Sequence, residues 1–343
     1  MKEKKLGYYF IVMASVFIVL AGVKSASVIV VPFLLSLFLA IILLPSYEYF
    51  NKKGLHSSIS MLLVVSILII IISLVSKLIG SSIQDFNSNI NIYSERLLVY
   101  YLNLVKFAAD LGIEISAQEL SSVVNTKQIM SFSTNILQSM GSMLTNSFVV
   151  LLTVIFMLFE SMNFKAKIEL AGENSDALHH LQNITSKIKE YMVLKAIISA
   201  LTGIIIWGAL ALIGTDYAFL WGLVAFLFNF IPNIGSIIAA VPAVLLTLVQ
   251  FGAFSAMLVA LLYVAINIIV GSVIEPKVMG KGLGLSTLVV FLSLIFWGWL
   301  LGIVGMLLSI PLTIMLKIIL DDNEGTRWIS IMLGSGETKA NQK

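Results

Sequence analysis

Few side chains in this sequence can do chemistry, and most of them interrupt apolar runs. Asn229 and Asn233 flank Pro232 in the stretch Asn229-Phe230-Ile231-Pro232-Asn233-Ile234-Gly235. Their amide oxygens can hold a cation, and the whole amides can hydrogen-bond a polyol. Capping the ends of a broken helix is their plainer role. Asn267 lies two turns ahead of Glu275-Pro276-Lys277. Glu275 can bind a proton or cation with Lys277 as its competing partner; equally, the pair can end a helix, since the residue before a proline disfavours helix. Asp216 is expected to cap a helix and Glu160 to sit solvated at an interface. The three histidines, His56, His179 and His180, are too scattered for a metal cluster, and there are no cysteines. HExxH, GxSxG and Walker sequences are absent. These groups fit binding rather than catalysis: no enzyme, no cofactor, and proton or sodium coupling as the chemistry within reach.

The setting of those residues is lipid. Of 343 residues 59% are hydrophobic and only 11% charged, and mean hydropathy is +1.02. A soluble domain carries about 25% charged residues, so this chain in water would expose aggregating apolar patches. A net charge of +3 is too small to imply a nucleic-acid partner. The absence of cysteine leaves the redox compartment undecided.

Apolar runs long enough for a bilayer core of about 30 Å occur at 8–23, 28–46, 59–79, 147–162, 193–213 and 253–274. Lysines set the orientation. Lys2, Lys4 and Lys5 precede the first run, Lys52 and Lys53 follow the second, and Lys165, Lys167, Lys187 and Lys189 lie between the fourth and fifth. All fall on one side if the N-terminus is cytoplasmic, and the C-terminus follows it there. The expected organisation is three spans in 1–79, an external segment in 80–146, and two spans in 147–213 joined by a cytoplasmic helical linker at 163–190. A core in 214–320 and a cytoplasmic tail in 321–343 complete it. The external segment carries Ile83, Phe86, Ile90, Tyr93, Leu97, Tyr100, Leu104, Phe107 and Leu111 at alternating spacings of three and four. Such a heptad seam must be buried, either on its own chain or between subunits of an oligomer. Ser116 with Glu119, and Asn125 with Gln128, read as capping boxes of further helices.

Two regions are long but interrupted. In 217–250 two apolar halves flank the Asn229–Gly235 break, where Pro232 lacks an N–H and Gly235 admits left-handed backbone. In 286–320 the halves flank Trp297-Gly298-Trp299, Gly302 and Gly305, with Pro311 beyond. Gly280, Gly282 and Gly284 read as a hinge before the second region, and Gly298 with Gly302 as a small-residue pair for close helix contact. One full span separates the two regions, so they enter from opposite faces. Paired broken segments of inverted topology mark substrate sites in many secondary transporters. Each region is either a re-entrant hairpin or two short full spans. The expected fold is therefore all-α and polytopic: about six full spans, two interrupted hairpins and an external amphipathic segment. In a transporter of this plan Asn229, Pro232, Asn233 and Gly235 form one side of the site. Asn267, Glu275, Lys277 and the Gly298–Gly305 tip form the other.

Three blocks carry a resemblance. Asp216-Tyr217-Ala218 with Trp221-Gly222 and Asn229 to Ser236 is the first. Asn267 with Glu275-Pro276-Lys277-Val278-Met279-Gly280-Lys281-Gly282-Leu283 is the second. Phe296-Trp297-Gly298-Trp299, Gly302, Gly305-Met306 and Ile310-Pro311-Leu312-Thr313 is the third. In order and spacing the chain resembles the autoinducer-2 exporter family of bacterial membrane proteins. The resemblance implies a multi-pass permease of the inner membrane that exports autoinducer-2 or a similar small polar molecule. Members described as sodium- or lithium-for-proton antiporters are the alternative, and a passive oligomeric channel or scaffold is a further one. The resemblance also implies a homo-oligomer, with five subunits reported in the family.

Overall fold

The computed structural model describes residues 2–111, 131, 133–136, 138–139, 147–171, 175–232, 234–279, 284–322 and 324–334. Every regular element among them is helical, the arrangement by which a chain in lipid satisfies its own backbone. Among the described residues five helices are long and apolar enough to cross a membrane: Ser27–Lys52, Ser57–Asp110, Thr185–Ile213, Ala253–Ile274 and Thr287–Leu307. Shorter apolar helices occur at Phe10–Ser25, Phe148–Ser161, Ala218–Phe228 and Gly235–Phe251. The expected all-α polytopic membrane fold is present. The Ser116, Glu119, Asn125 and Gln128 caps fall outside the described residues.

The chain divides into two compact units, Met1–Val64 with Phe148–Lys195 and Met279–Lys343, and Val65–Ser147 with Ala196–Val278. In the first unit α1 (Lys2–Ser25) and α2 (Ser27–Lys52) meet at a tight corner, where the Ala26 N–H donates to the Gly22 carbonyl at 2.9 Å. Pro32 leaves a gap in the α2 ladder, and Ser36 Oγ lies 2.7 Å from the Pro32 carbonyl. The same hydroxyl is 3.1 Å from the Val150 carbonyl of α4 (Ser147–Ala171). Lys189, early in α5 (Ser175–Ile213), pairs with Glu48 of α2 at 2.6 Å.

In the second unit the long helix α3 (Ser57–Asp110) runs without interruption from the third apolar run into the heptad seam. Sequence alone suggested a boundary at 79; no breaker residue enforces one. The middle of the seam packs on its own chain. Phe86 is 1% exposed and meets Tyr93, Tyr217 and Trp221 with ring centroids 5.6, 6.1 and 6.4 Å apart. Aromatic pairs of this kind add about 1 kcal/mol each beyond burial. Further along, Phe107 and Leu111 are exposed.

Candidate functional site

The first interrupted region is a closed hairpin. Helix α6 (Ala218–Phe228) is apolar throughout, and α7 (Gly235–Phe251) packs back along it. Between them the Ile231 N–H donates to the Phe228 carbonyl at 2.8 Å and the Gly235 N–H to Ile231 at 3.3 Å. A Cβ on Gly235 would run into the Phe228 carbonyl oxygen. The left-handed conformation expected there is absent, since Gly235 is not among the positive-φ residues. The tip needs glycine for room, not for dihedral freedom. Pro232 sits in the turn, and Asn233 falls outside the described residues.

Helix α5 runs antiparallel to α6, and the two backbones touch where a Cβ on Gly203 would lie 2.7 Å from the Gly222 carbonyl. That approach brings the hairpin tip onto α5, where Asn229 Nδ2 donates to Ser199 Oγ at 2.9 Å. Ser199 is roughly halfway along Thr185–Ile213, about 20 Å from its far end. Helix α8 (Ala253–Asn267) packs on α7 and continues through a π-helical stretch, Ile268–Ile274, into α9 (Glu275–Met279). Pro276 would clash with the carbonyl four residues back in an α-helix, and a wider turn relieves that. The helix therefore carries on past Glu275, so the helix end that was one of two readings of Glu275-Pro276-Lys277 is absent.

Around the tip is a small cavity of about 10 Å³, roughly room for one water. Thr202, Asn229, Ser236, Tyr263 and Asn267 line it together with Ile206, Ala225, Ile266 and Val270. Thr202 returns its hydroxyl to the Ile198 carbonyl at 3.0 Å. Ser236 Oγ and Tyr263 OH are buried with no hydrogen-bond partner among the described residues. A buried hydroxyl left unpaired costs about 1–3 kcal/mol. Two in one cavity are a standing cost that a bound polar group removes.

Of the residues singled out from sequence, Asn229 and Asn267 come together here, with Pro232 and Gly235 shaping the turn. Glu275 and Lys277 do not line the cavity; Glu275 is half-buried at the start of α9 and Lys277 is exposed. Ser199, Thr202, Ser236 and Tyr263 were not foreseen. Nor was Lys195 on α5, which is 2% exposed and partnered.

The two base turns of the hairpin are tied together. Asp216 accepts a hydrogen bond from Gln250 Nε2 and one from Tyr93 OH at 3.2 Å, and its N–H donates to Gln250 Oε1 at 3.1 Å. Thr215 and Thr247 hydroxyls meet at 3.1 Å. Asp216 does not cap α6 as expected: the cap residue is Tyr217, held at φ 58° with no side-chain cap bond.

The second interrupted region, in the other unit, is built from α10 (Thr287–Leu307) and α11 (Ser309–Asp322). Gly302 breaks α10 at φ 67°, ψ −149°, so it supplies conformation rather than the close packing expected of it; a Cβ there would meet nothing within 4 Å. Gly298 faces Met306, with Cγ 2.8 Å from its would-be Cβ, and a Cβ on Gly305 would run into the Trp297 carbonyl oxygen. Trp297 Nε1 donates to Thr313 Oγ1 at 2.9 Å across the hairpin, and Thr313 donates to the Ser309 carbonyl at 2.7 Å. Pro311 falls in the first turn of α11, where a missing N–H costs nothing. At the tip, Lys24 from the α1–α2 corner lies 4.2 Å from the centre of the Trp299 ring. At the base, Lys317 donates to the carbonyl of Gly284, and the Ser286 N–H donates to Leu333 of α12 (Arg327–Leu333) at 3.1 Å. Gly280 and Gly282 lie outside the described residues.

Comparison with known proteins gives one consistent result. A family model described as AI-2E family transporter matches residues 9–324. The AI-2 transport protein TqsA of Escherichia coli K12 is 37% identical over 324 residues, covering 94% of each chain. A putative transport protein of Haemophilus influenzae is 39% identical over 94% of this chain and 95% of its own. Putative transport protein YhhT of Escherichia coli K12 is 33% identical over 96% and 94%.

Proposed function

Because the chain belongs to the AI-2E family of membrane transporters, we propose that it is a secondary transporter of the bacterial inner membrane that exports an autoinducer-2-like polyol through the cavity at the α6–α7 tip. The observation that carries this is the pair of partnerless hydroxyls, Ser236 and Tyr263, beside Asn229 and Asn267. The cavity takes about one hydroxyl at a time, and each hydroxyl of a neutral polyol both donates and accepts, as these four side chains require. No carboxylate lines the cavity, so a bare sodium or lithium ion would have amide and hydroxyl oxygens alone. That favours a neutral solute over the cation-for-proton antiport that the resemblance leaves as the alternative.

Energy coupling is assigned to Glu275, two turns beyond Asn267 on the same helical run and joined to it by the π stretch. Such wide turns are local weak points in a helix and often sit at functional sites. The re-entrant reading of the first hairpin is supported by its bond to the middle of α5, and the cytoplasmic placement of both termini by the lysine pattern. Lys189 and Glu48, each expected on the inner side, form an ion pair, which agrees with that placement. The exposed end of the α3 seam, Phe107 and Leu111, gives subunits of a homo-oligomer a place to meet.

The test is uptake of radiolabelled autoinducer-2 into sealed proteoliposomes under imposed proton and sodium gradients. Wild type should give saturable flux. Asn229→Ala and Tyr263→Phe should cut it about tenfold, the worth of one hydrogen bond of about 1.4 kcal/mol. Glu275→Gln should abolish the gradient dependence and keep exchange. Unsaturable flux, or flux indifferent to the Asn229 and Tyr263 variants, would sink the assignment.

A further inference from the structure

Beside the polar cavity lies a larger space. A groove of about 360 Å³ runs between α7 and α8, walled by Ile237, Val241 and Val244 on one helix and Ala260 and Val264 on the other. Ser236, Tyr263 and Asn267 line it as well, and these same three residues line the small cavity at the hairpin tip. Ile237 and Val264 are more than half exposed, so the groove opens at the surface of its unit. None of its lining residues is charged. Tyr263 is 4% exposed and its hydroxyl lacks a partner among the described residues.

We propose that this groove is a lateral port for an uncharged amphiphile. The apolar chain lies along the α7 and α8 walls, and a hydroxyl-bearing head bonds Tyr263 OH, Ser236 Oγ and the Asn267 amide. The proposal rests on the transport reading above and adds to it a second class of solute, one with a polyol-like head and an apolar chain, and the side from which that head reaches the residues shared with the cavity. The lining chemistry selects that class. An ionic head would shed its hydration against walls that offer no opposite charge. A bare hydrocarbon would leave both hydroxyls unpaired. The volume is at the small end for ligand pockets, which fits a short chain better than a whole membrane lipid.

The experiment is equilibrium binding of radiolabelled 1-monooctanoylglycerol to the full chain in lipid nanodiscs. Saturable binding is expected, displaced by unlabelled probe and by neither dodecane nor octanoate. Tyr263→Phe should weaken it about tenfold, the value of one hydrogen bond to a buried group. Val244→Trp, which fills the apolar end away from the hydroxyls, should abolish it with thermal unfolding unchanged. Ala260→Leu serves the same purpose if that variant fails to fold. Displacement by dodecane together with wild-type binding by Tyr263→Phe would overturn the proposal, leaving an ordinary acyl-chain crevice. Autoinducer-2 flux that depends on Tyr263 but is untouched by Val244→Trp, with no monoacylglycerol binding, would overturn the port and leave the transport reading standing. Loss of Tyr263 dependence in both assays would remove the two together.

Discussion

The two hairpins share a backbone plan and differ in where their polar groups go. In each, an apolar half-helix ends against a glycine whose missing Cβ lets the returning chain close on a carbonyl, Gly235 on Phe228 and Gly305 on Trp297. A proline follows in the second half, Pro242 or Pro311. In the second hairpin the polar groups are consumed internally, Trp297 on Thr313 and Thr313 on Ser309, with only the Ser309 hydroxyl unpartnered. In the first, Asn229 reaches out to Ser199, and Ser236 faces a cavity with Tyr263. One folding device thus yields a structural clasp in one place and a polar site in the other. Away from the base turns, the difference lies in whether the polar groups meet across the hairpin or look away from it.

The largest expected effect tests the shared part of that plan. Gly235→Ala and Gly305→Ala each place a methyl on a backbone carbonyl that cannot swing aside, and overpacking of this kind costs about 3 kcal/mol or more. Both variants should lose most of their folded yield in detergent, read by the elution of a fluorescent fusion on size exclusion. Gly302→Ala meets no neighbouring atom but must adopt φ 67°, ψ −149°, a region open almost to glycine alone, costing about 1–3 kcal/mol, and should keep more folded yield than either. A well-folded Gly235→Ala protein would show that the two tips are not the same device.

The next effect separates the tips by depth. The chain has no cysteine, so single-cysteine variants need no background removal. The first tip is bonded to the middle of α5, whereas the second reaches the α1–α2 corner through Lys24 and Trp299. An impermeant maleimide should label Trp299→Cys in intact cells and leave Phe230→Cys unlabelled. Equal labelling would mean that both regions span, and the asymmetry would be lost.

A smaller effect separates site from clasp. Tyr263→Phe removes a hydroxyl that has no partner, so stability should hold or rise by up to about 1 kcal/mol while flux falls about tenfold. Trp297→Phe removes a made bond. Its melting temperature should drop by about 2–4 °C, with flux per folded molecule unchanged. The opposite pairing of outcomes would assign the site to the second hairpin.

Both breaks were legible because Pro and Gly in an apolar run leave few alternatives. Asn229 and Asn267 were legible because an amide at such depth is costly to bury without a purpose. Ser236 was not, because a serine or threonine hydroxyl on an apolar helix ordinarily bonds its own backbone one turn back, as Thr202 does. Tyr263 was not, because a tyrosine in an apolar run ordinarily turns its hydroxyl toward the wet interface. Which hydroxyls are left over depends on the packing of α5, α7 and α8, and local sequence does not encode that. Lys195 went unremarked for a related reason. It stands near the start of an apolar run, where a lysine normally snorkels to the interface, yet packing buries it. Conversely, of the two readings of Glu275-Pro276-Lys277 the helix end does not hold, since a π turn absorbs a proline that an α-helix would reject.

The smallest effect bears on the contact between the second tip and the α1–α2 corner. Lys24 and Trp299 are both on the surface of their unit, so their cation–π contact is worth about 0.5–1 kcal/mol. Lys24→Ala should lower the melting temperature by a degree or two, and Lys24→Arg should preserve it, since a guanidinium stacks on the same ring. The single variant cannot tell this contact from a general loss of positive charge at the corner. A double-mutant cycle with Trp299→Leu can. A coupling near the single-mutant loss means the contact itself holds the tip at the corner. Zero coupling would make their proximity incidental, and the contrast between a tip at mid-helix and a tip at the corner would then rest on the labelling result alone.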